Sequence, residues 1–399
     1  MRHPSFAASI LVSMLGTALF AQSPETTSQT YQEYLAQNYR HSNPSFQQSV
    51  RPWSEGPLRW DEFQGTINAD SATHIDHLSL STEVEVADEK VGNTRYLYPK
   101  FVTYFNRAES WARPQFENDT ILRFHQLLFD MRELYGRRAT IEYNRSSGDV
   151  QLDQLASFYF RQFENRAKVI QDETRYGSNA EKFSYHAADV ALDLMKTQFD
   201  PVTALDGAAL GMNGNLAFGA NAMFPISEYF SQAYGFNMYL AAGWKQHQWG
   251  LDMTFGFGAE AEKDFDTKNG WIMEGQSLNV YQVYATYAYC TSRTSNFQAY
   301  PYVGLGVVGI MHPGDRGDDD YHAPEKIGFS VCAGMMFDVV LRRTVRLKPV
   351  YSYSTERADV RYYGITVRPY LSLTHFNEFG WTPAINLNLS FNMGAYDLR

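Results

Sequence analysis

The 399-residue chain has two cysteines, Cys290 and Cys332, so no disulfide framework holds it together. Beyond its opening segment it has no unbroken apolar stretch of the length a membrane helix needs. It has no excess of positive charge. Lys and Arg number 34 against 44 Asp and Glu, a net charge of −10, which argues against nucleic acid as a partner. It has no Gly-x-Ser-x-Gly stretch and no Cys/His nucleophile context. It also lacks a glycine loop suited to cradling phosphate, and nothing in it calls for a cofactor.

What is there begins with a basic pair, Arg2 and His3, then an apolar run from Phe6 to Phe20 and small residues ending at Ala21. That order is a secretory signal peptide, residues 1–21, with cleavage expected after Ala21. The run is too short and wrongly flanked for a stable anchor, and no cysteine near the cut suggests lipidation. The remaining length predicts two domains. Aromatics make up 15% of the chain and concentrate in its second half, where Gly and Asn also rise. The shift divides residues 22–203 from 204–399.

The second half reads with period two. Ile385, Leu387, Leu389, Phe391 and Met393 point one way, and Asn386, Asn388, Ser390 and Asn392 the other. The same alternation runs through 210–218, 236–240 and 249–257, and near 279–290, 299–311, 327–341 and 363–374. A soluble barrel would show water a face of Lys and Glu. Here the polar face is mostly Gly, Asn, Ser, Thr and Tyr, which suits the interior of a narrow antiparallel transmembrane β-barrel with its apolar face on lipid. Eight strands are preferred. The stretch 345–354 also alternates, so it is either a long connection or part of a ten-stranded alternative. Short links (245–248, 291–298) alternate with longer ones (225–233, 260–278, 312–326), as periplasmic turns alternate with external loops. Trp244, Trp249 and Tyr289 would form a periplasmic aromatic girdle. An even strand count puts both barrel ends in the periplasm.

The stretches AYPYVGLGVVGIM (299–311) and GFSVCAGMMFDVVLRR (328–343) resemble the small outer-membrane β-barrel proteins of Bacteroidetes-type bacteria. The resemblance covers half the chain and implies outer-membrane lipid as surroundings. Many such barrels end on a terminal aromatic, whereas here Phe391 is followed by a tail to Arg399. The loop GDRGDDDYHAPE carries Asp315, Asp318, Asp319 and Asp320. Four carboxylates could gather a divalent cation. A solvated external charge run is the commoner meaning of such a loop.

Residues 22–203 read as an α+β domain. Short strands are predicted in HLSLSTEVEVA (77–87) and in YLYPKFVTYFN (96–106), the latter interrupted at Pro99 and Lys100. Helical spacing covers 119–138, 152–169 and 180–198. Four ordered pieces stand out: PLRWDEFQG (57–65), FNRAESW (105–111), FDMRELYGRR (129–138) and QDETRYGSN (171–179). Together they resemble the DUF922 family of predicted secreted zinc-dependent proteases. That resemblance implies a metal helix with His-Glu-x-x-His directly before Phe-Asp, two His gripping zinc and the Glu activating water. Aligning Phe129 and Asp130 with that Phe-Asp puts Phe124 at the first His, His125 at the Glu and Leu128 at the second His. Tyr176 stands where the family's later His belongs. A register shifted by one puts His125 first, but then Gln126 replaces the base and Phe129 the second ligand.

Phe and Leu offer zinc no lone pair, so this reading expects a degenerate metal site, no metal and no catalytic residue. Two other readings stand beside it. His74, Asp76 and His77, joined by His125 or His186, would make a relocated metal site if they converge in space. Alternatively the helix is ordinary core, since Leu122, Phe129 and Leu134 need no catalytic history.

The function expected from these observations is that of a non-enzymatic outer-membrane-anchored envelope protein. Its periplasmic protease-like domain would hold a peptide or protein partner. The alternatives are an active membrane-tethered zinc metallopeptidase with an unconventional site, and a small transport or adhesion barrel. Oligomeric state is not legible.

Overall fold

A computed structural model describes residues 49–67, 75–146, 150–267, 270–313, 325–348 and 357–399. These divide into two compact units. One takes in the described residues up to Asp88 and Leu97–Asp206; the other takes in Glu89–Tyr96 and the described residues from Gly207 onward.

The first unit opens with β1 (Val50–Pro52), β2 (Asp76–His77), β3 (Leu80–Val91), β4 (Thr94–Asn106) and β5 (Trp111–Ala112). β4 is not interrupted at Pro99 and Lys100, contrary to the sequence expectation. Proline lacks only a donor, and the Pro99 carbonyl is used, accepting from Asn144 Nδ2 at 2.8 Å. Lys100 points to solvent. The tip of the β3–β4 hairpin, Glu89–Tyr96, belongs to the second unit.

Helix α1 (Asp119–Arg145) is followed by α2 (Leu152–Thr174) and α3 (Ala180–Lys196). The Asn118 side chain caps α1 by accepting from the Thr120 and Ile121 amides, both at 3.0 Å. Phe124, Leu127, Met131 and Leu134 of α1 pack with Ile170 of α2 and with Val190 and Leu194 of α3. Phe129 leaves that cluster for another, with Leu58 and Phe105. One helix therefore carries two apolar faces. That is why α1 is buried along most of its length, whereas α2 and α3 bury one stripe each.

The second unit contains eight long strands: β6 (Leu210–Pro225), β7 (Ala233–Trp244), β8 (His247–Glu260), β11 (Ser277–Tyr289), β13 (Phe297–Met311), β14 (Glu325–Leu347), β15 (Ala358–Phe376) and β16 (Gly380–Leu398). The short β9 (Phe265–Thr267), β10 (Gly270–Ile272) and β12 (Ser292–Arg293) lie in the connections. Every long strand pairs antiparallel with the next, β16 pairs with β6, and the ring is therefore closed. Closure removes every sheet edge. Residues 345–347 prove to be the end of β14 rather than a ninth strand, and 349–354 lie outside the described residues.

The faces sort as the alternation predicts. Ile385, Leu387, Leu389 and Phe391 are 48%, 44%, 54% and 52% exposed, while Asn386, Asn388 and Asn392 are fully buried. Phe218, Phe236, Phe255, Leu305, Phe329 and Leu371 extend the exposed apolar belt round the ring. The interior holds Asn, Gln, Ser, Thr and Tyr side chains. Gly219 on β6 has no room for more: a Cβ there would stand 2.0 Å from the Leu389 carbonyl oxygen.

The connections depart from a strict short–long alternation. At one end lie 226–232, 261–276 and 312–324, but also the short 377–379, made tight by Gly380 at φ +68°. At the other end lie the two-residue turn 245–246, then 290–296 and 348–357. The barrel's first and last residues meet at that second end, where Ala209 and Arg399 exchange two backbone hydrogen bonds of 2.8 Å.

Candidate functional site

In the first unit the four motif pieces come together round the first turns of α1. Trp60 and Phe63 lie edge-on and tilted to the His125 ring, at centroid distances of 6.0 and 5.6 Å. Phe63 meets Phe105 at 5.0 Å, and Phe105 meets Phe129 at 6.4 Å. The Gln64 and Gly65 amides donate to the Arg107 and Ser110 carbonyls, at 3.0 and 2.8 Å. Gly65 must be glycine there, because a Cβ would stand 2.8 Å from that same Ser110 oxygen.

The later turn joins them. α2 ends on three left-handed residues, Arg175, Tyr176 and Gly177, at φ 49°, 58° and 85°. Gly177 lies against the α1 backbone, where a Cβ would be 3.1 Å from the Thr120 carbonyl oxygen. Tyr176 stacks edge-on with Phe124 at 5.7 Å. The positions singled out by the resemblance are thus neighbours: Phe124 is buried, Leu128 packs on the same cluster, and Tyr176 lies against Phe124, itself half exposed. The pocket in which zinc would sit by resemblance is filled with rings and aliphatic carbon. These residues do not fit a metal, and no catalytic step follows from them.

His125 is 4% exposed, with Nε2 3.3 Å from Asp76 Oδ2. The contact is within ion-pair reach but poorly aimed, and neither ring nitrogen makes a hydrogen bond among the described residues. Of the other residues of the relocated-site reading, the described ones, His77 and His186, do not join this pair. His186 bonds Glu173 at 2.9 Å, and that bond holds the exposed Glu173 carboxyl below its ordinary value. His77 lies beside Trp111. His74 lies outside the described residues, as do Asp315, Asp318, Asp319 and Asp320. Among the described residues no three His, Cys, Asp or Glu side chains are grouped to hold a metal.

One polar group beside this cluster, Asp130, served the sequence reading only as an alignment anchor. Asp130 Oδ1 accepts from Trp53 Nε1 at 2.8 Å and from Gln126 Nε2 at 2.6 Å. Burial raises its pKa, and the two hydrogen bonds oppose the rise. Gln126 in turn accepts from the Leu58 amide at 2.7 Å, so an aspartate and a glutamine tie α1 to the turn and loop at residues 53–58. Glu62 is also buried and ion-paired to Arg51, with Arg107 at 3.2 Å. The spacing of Gln126 and Asp130, one turn apart on a helix, was the available signal.

In the second unit the barrel lumen carries charge as well as amides. Arg368 Nη2 donates to Asp252 Oδ1 at 2.7 Å, with both side chains at most 2% exposed. The guanidinium lies 4.6 Å from the Tyr239 ring centroid. Tyr370, Gln282, Asn386 and Ser372 form a hydrogen-bonded chain at 2.8, 3.2 and 2.9 Å. Trp244, Trp249, Tyr287 and Tyr289 are exposed round the 245–246 turn, where Tyr289 donates to Gln246 at 2.5 Å and Arg399 lies over Trp244.

Fold and lumen together define the second unit as a closed eight-stranded barrel with a polar, packed interior and an apolar exterior. No family model matches the chain, and no curated protein matches it. Solved structures do. Neisserial surface protein A is 15% identical over 47% of this chain and 98% of that one, with a TM-score of 0.27. Ail, the attachment invasion locus protein of Yersinia pestis, is 11% identical over 46% and 98%, at 0.25. The outer membrane protein OprG of Pseudomonas aeruginosa is 9% identical over 48% and 98%, at 0.24.

Proposed function

We propose that this chain is an outer-membrane-anchored envelope protein whose first unit faces the periplasm and binds a peptide or protein partner without catalysing a reaction. The observation that carries the membrane part is the inverted barrel: large apolar side chains outside, amides and a buried ion pair inside. In water such a surface would be a large aggregation-prone patch, and in lipid it is the required one. The chain enters and leaves the barrel at the end carrying the 245–246 turn and its exposed aromatics. In outer-membrane barrels short turns face the periplasm, which supports the reading that the first unit faces that side. A lumen filled by Tyr239, Tyr284, Tyr300, Tyr302 and Arg368 suits an anchor better than a solute channel.

The binding role is supported by the convergence of four motif pieces on a site whose ligand positions are Phe124 and Leu128. The scaffold is kept and the metal donors are missing. Membrane fractionation with protease shaving of intact and opened cells tests the orientation: the first unit should be cut only after opening. Deleting residues 22–203 should abolish capture of a periplasmic partner, and unchanged capture would remove the binding role. The His125–Asp76 contact favours a metallopeptidase as the second reading. About one equivalent of zinc, with chelator-sensitive cleavage, would replace the proposal by that reading.

A further inference from the structure

Two turns along α1 from His125, a cavity of about 230 Å³ opens in the first unit. Thr82, Phe101, Arg132, Tyr135, Ala156 and Phe160 line it. Arg132 is only 8% exposed. Its Nε donates to Thr82 Oγ1 at 2.8 Å, and its guanidinium carbon stands 4.4 and 5.0 Å from the Phe160 and Phe163 ring centroids. The aromatic faces stabilise the cation but accept no conventional hydrogen bond. Among the described residues, neither terminal nitrogen of Arg132 makes a hydrogen bond, and the Glu164 and Glu83 carboxylates act on it through electrostatic attraction. Of the other hydroxyls in the lining, that of Tyr159 is committed to Glu142 at 2.5 Å, and Tyr135 and Ser157 supply two more.

The side chain is largely buried, but its terminal nitrogens are not closed off from solvent, so the fork is open to a ligand. The guanidinium fork matches a carboxylate in two parallel bonds. The rest of the wall is mostly aromatic or aliphatic, with the hydroxyls of Thr82 and Ser157 among it, which suits an apolar body and gives no second cation for a dianion. The space exceeds what one water needs and is smaller than a drug-sized pocket, so a fragment-sized group fits.

We propose that this cavity binds a carboxylate carried on a small apolar or aromatic body, with Arg132 holding the carboxylate and Phe101, Tyr135 and Phe160 the body. Two sources present this chemistry: the C-terminal residue of a peptide, and a free aryl or alkyl acid. The site stands independently of the unit's compartment and of the protease resemblance.

The test uses the full chain in detergent micelles, titrated calorimetrically. The probes are 3-phenylpropionate and its amide, and acetyl-Ala-Phe as free acid and as amide. Each acid should bind about 10- to 100-fold more tightly than its amide, the usual weight of a hydrogen-bonded charge. Arg132→Met should erase that preference. Ala156→Phe, which fills the cavity and leaves the charge, should abolish binding of both forms and so controls for partition into micelles. Tighter binding of the dipeptide acid assigns the source to a peptide C-terminus, and tighter binding of phenylpropionate assigns it to a free acid. Equal binding of acid and amide, no binding of any probe, or an acid preference surviving Arg132→Met overturns the proposal. Should Arg132→Met fail to fold, unaltered acid binding by Ala156→Phe overturns it alone.

Discussion

The ion pair between Arg368 on β15 and Asp252 on β8 is a strut across the barrel. The two strands lie four places apart in either direction round the ring of eight, so the bond crosses the lumen at its widest. At 2.7 Å and an effective dielectric of about 20, the gross attraction is roughly 6 kcal/mol. Desolvation of two ions offsets most of that. Arg368→Met leaves Asp252 fully buried without its cation, and Asp252 Oδ2 already has no hydrogen-bond partner among the described residues. The expected loss is about 3–5 kcal/mol, the usual cost of orphaning one buried charge. Arg368→Met with Asp252→Leu removes both ions, and should be near neutral or stabilising by about 1–4 kcal/mol relative to the intact pair. Urea titration of the refolded barrel, read by tryptophan fluorescence and by the mobility of unheated samples on gels, measures both variants. A single variant within about 1 kcal/mol of the parent would mean water or relaxation satisfies Asp252. A double variant as damaged as the single would show that lumen packing, not charge, set the cost. Either result refutes the strut.

Leu389→Arg places a charge in the middle of β16 on the exposed face and should cost about 2–4 kcal/mol in a bilayer, whereas Leu389→Phe should be tolerated. Equal tolerance in vesicle refolding titrations would contradict a lipid-facing belt. Asp130 predicts a pH effect in the first unit. Its folded pKa lies above the ordinary 3.8, so the folded state holds the proton more tightly. Its contribution to stability is therefore greatest below that ordinary value and is lost as pH rises towards the folded one. Asp130→Asn should flatten this slope, seen as a parent-minus-variant difference in urea midpoint that shrinks with rising pH. A difference that grows would reverse the assignment. Zinc measured after mild purification of the whole chain should fall well below one equivalent.

The barrel was legible because one physical rule dominates it. A strand between two unlike media must alternate, so Asn386 to Asn392 revealed both faces of β16 without any contact being known. Strand ends were less legible. The stretch 345–347 alternates as well as any true strand, and only its pairing with 358–360 decides that it extends β14. The Arg368–Asp252 strut also left a trace, as lone charges at lumen positions in ITVRPYLSL and GLDMTFGF. Nothing local could join residues 116 apart in sequence.

In the first unit, helical periodicity gave α1 but could not say that it has two apolar faces, because burial on both sides removes the polar stripe that periodicity detects. Phe124 and Leu128 share that burial, packing on the cluster that α1 forms with α2 and α3. Tyr176 then shields the cluster that it adjoins. His125, on the same helix but turned towards Trp60 and Phe63, has kept a polar side chain with only Asp76 near it. Its presence among rings, beside one carboxylate, makes the His125–Asp76 pair the first place to substitute if zinc is found, and Arg132 the first if it is not.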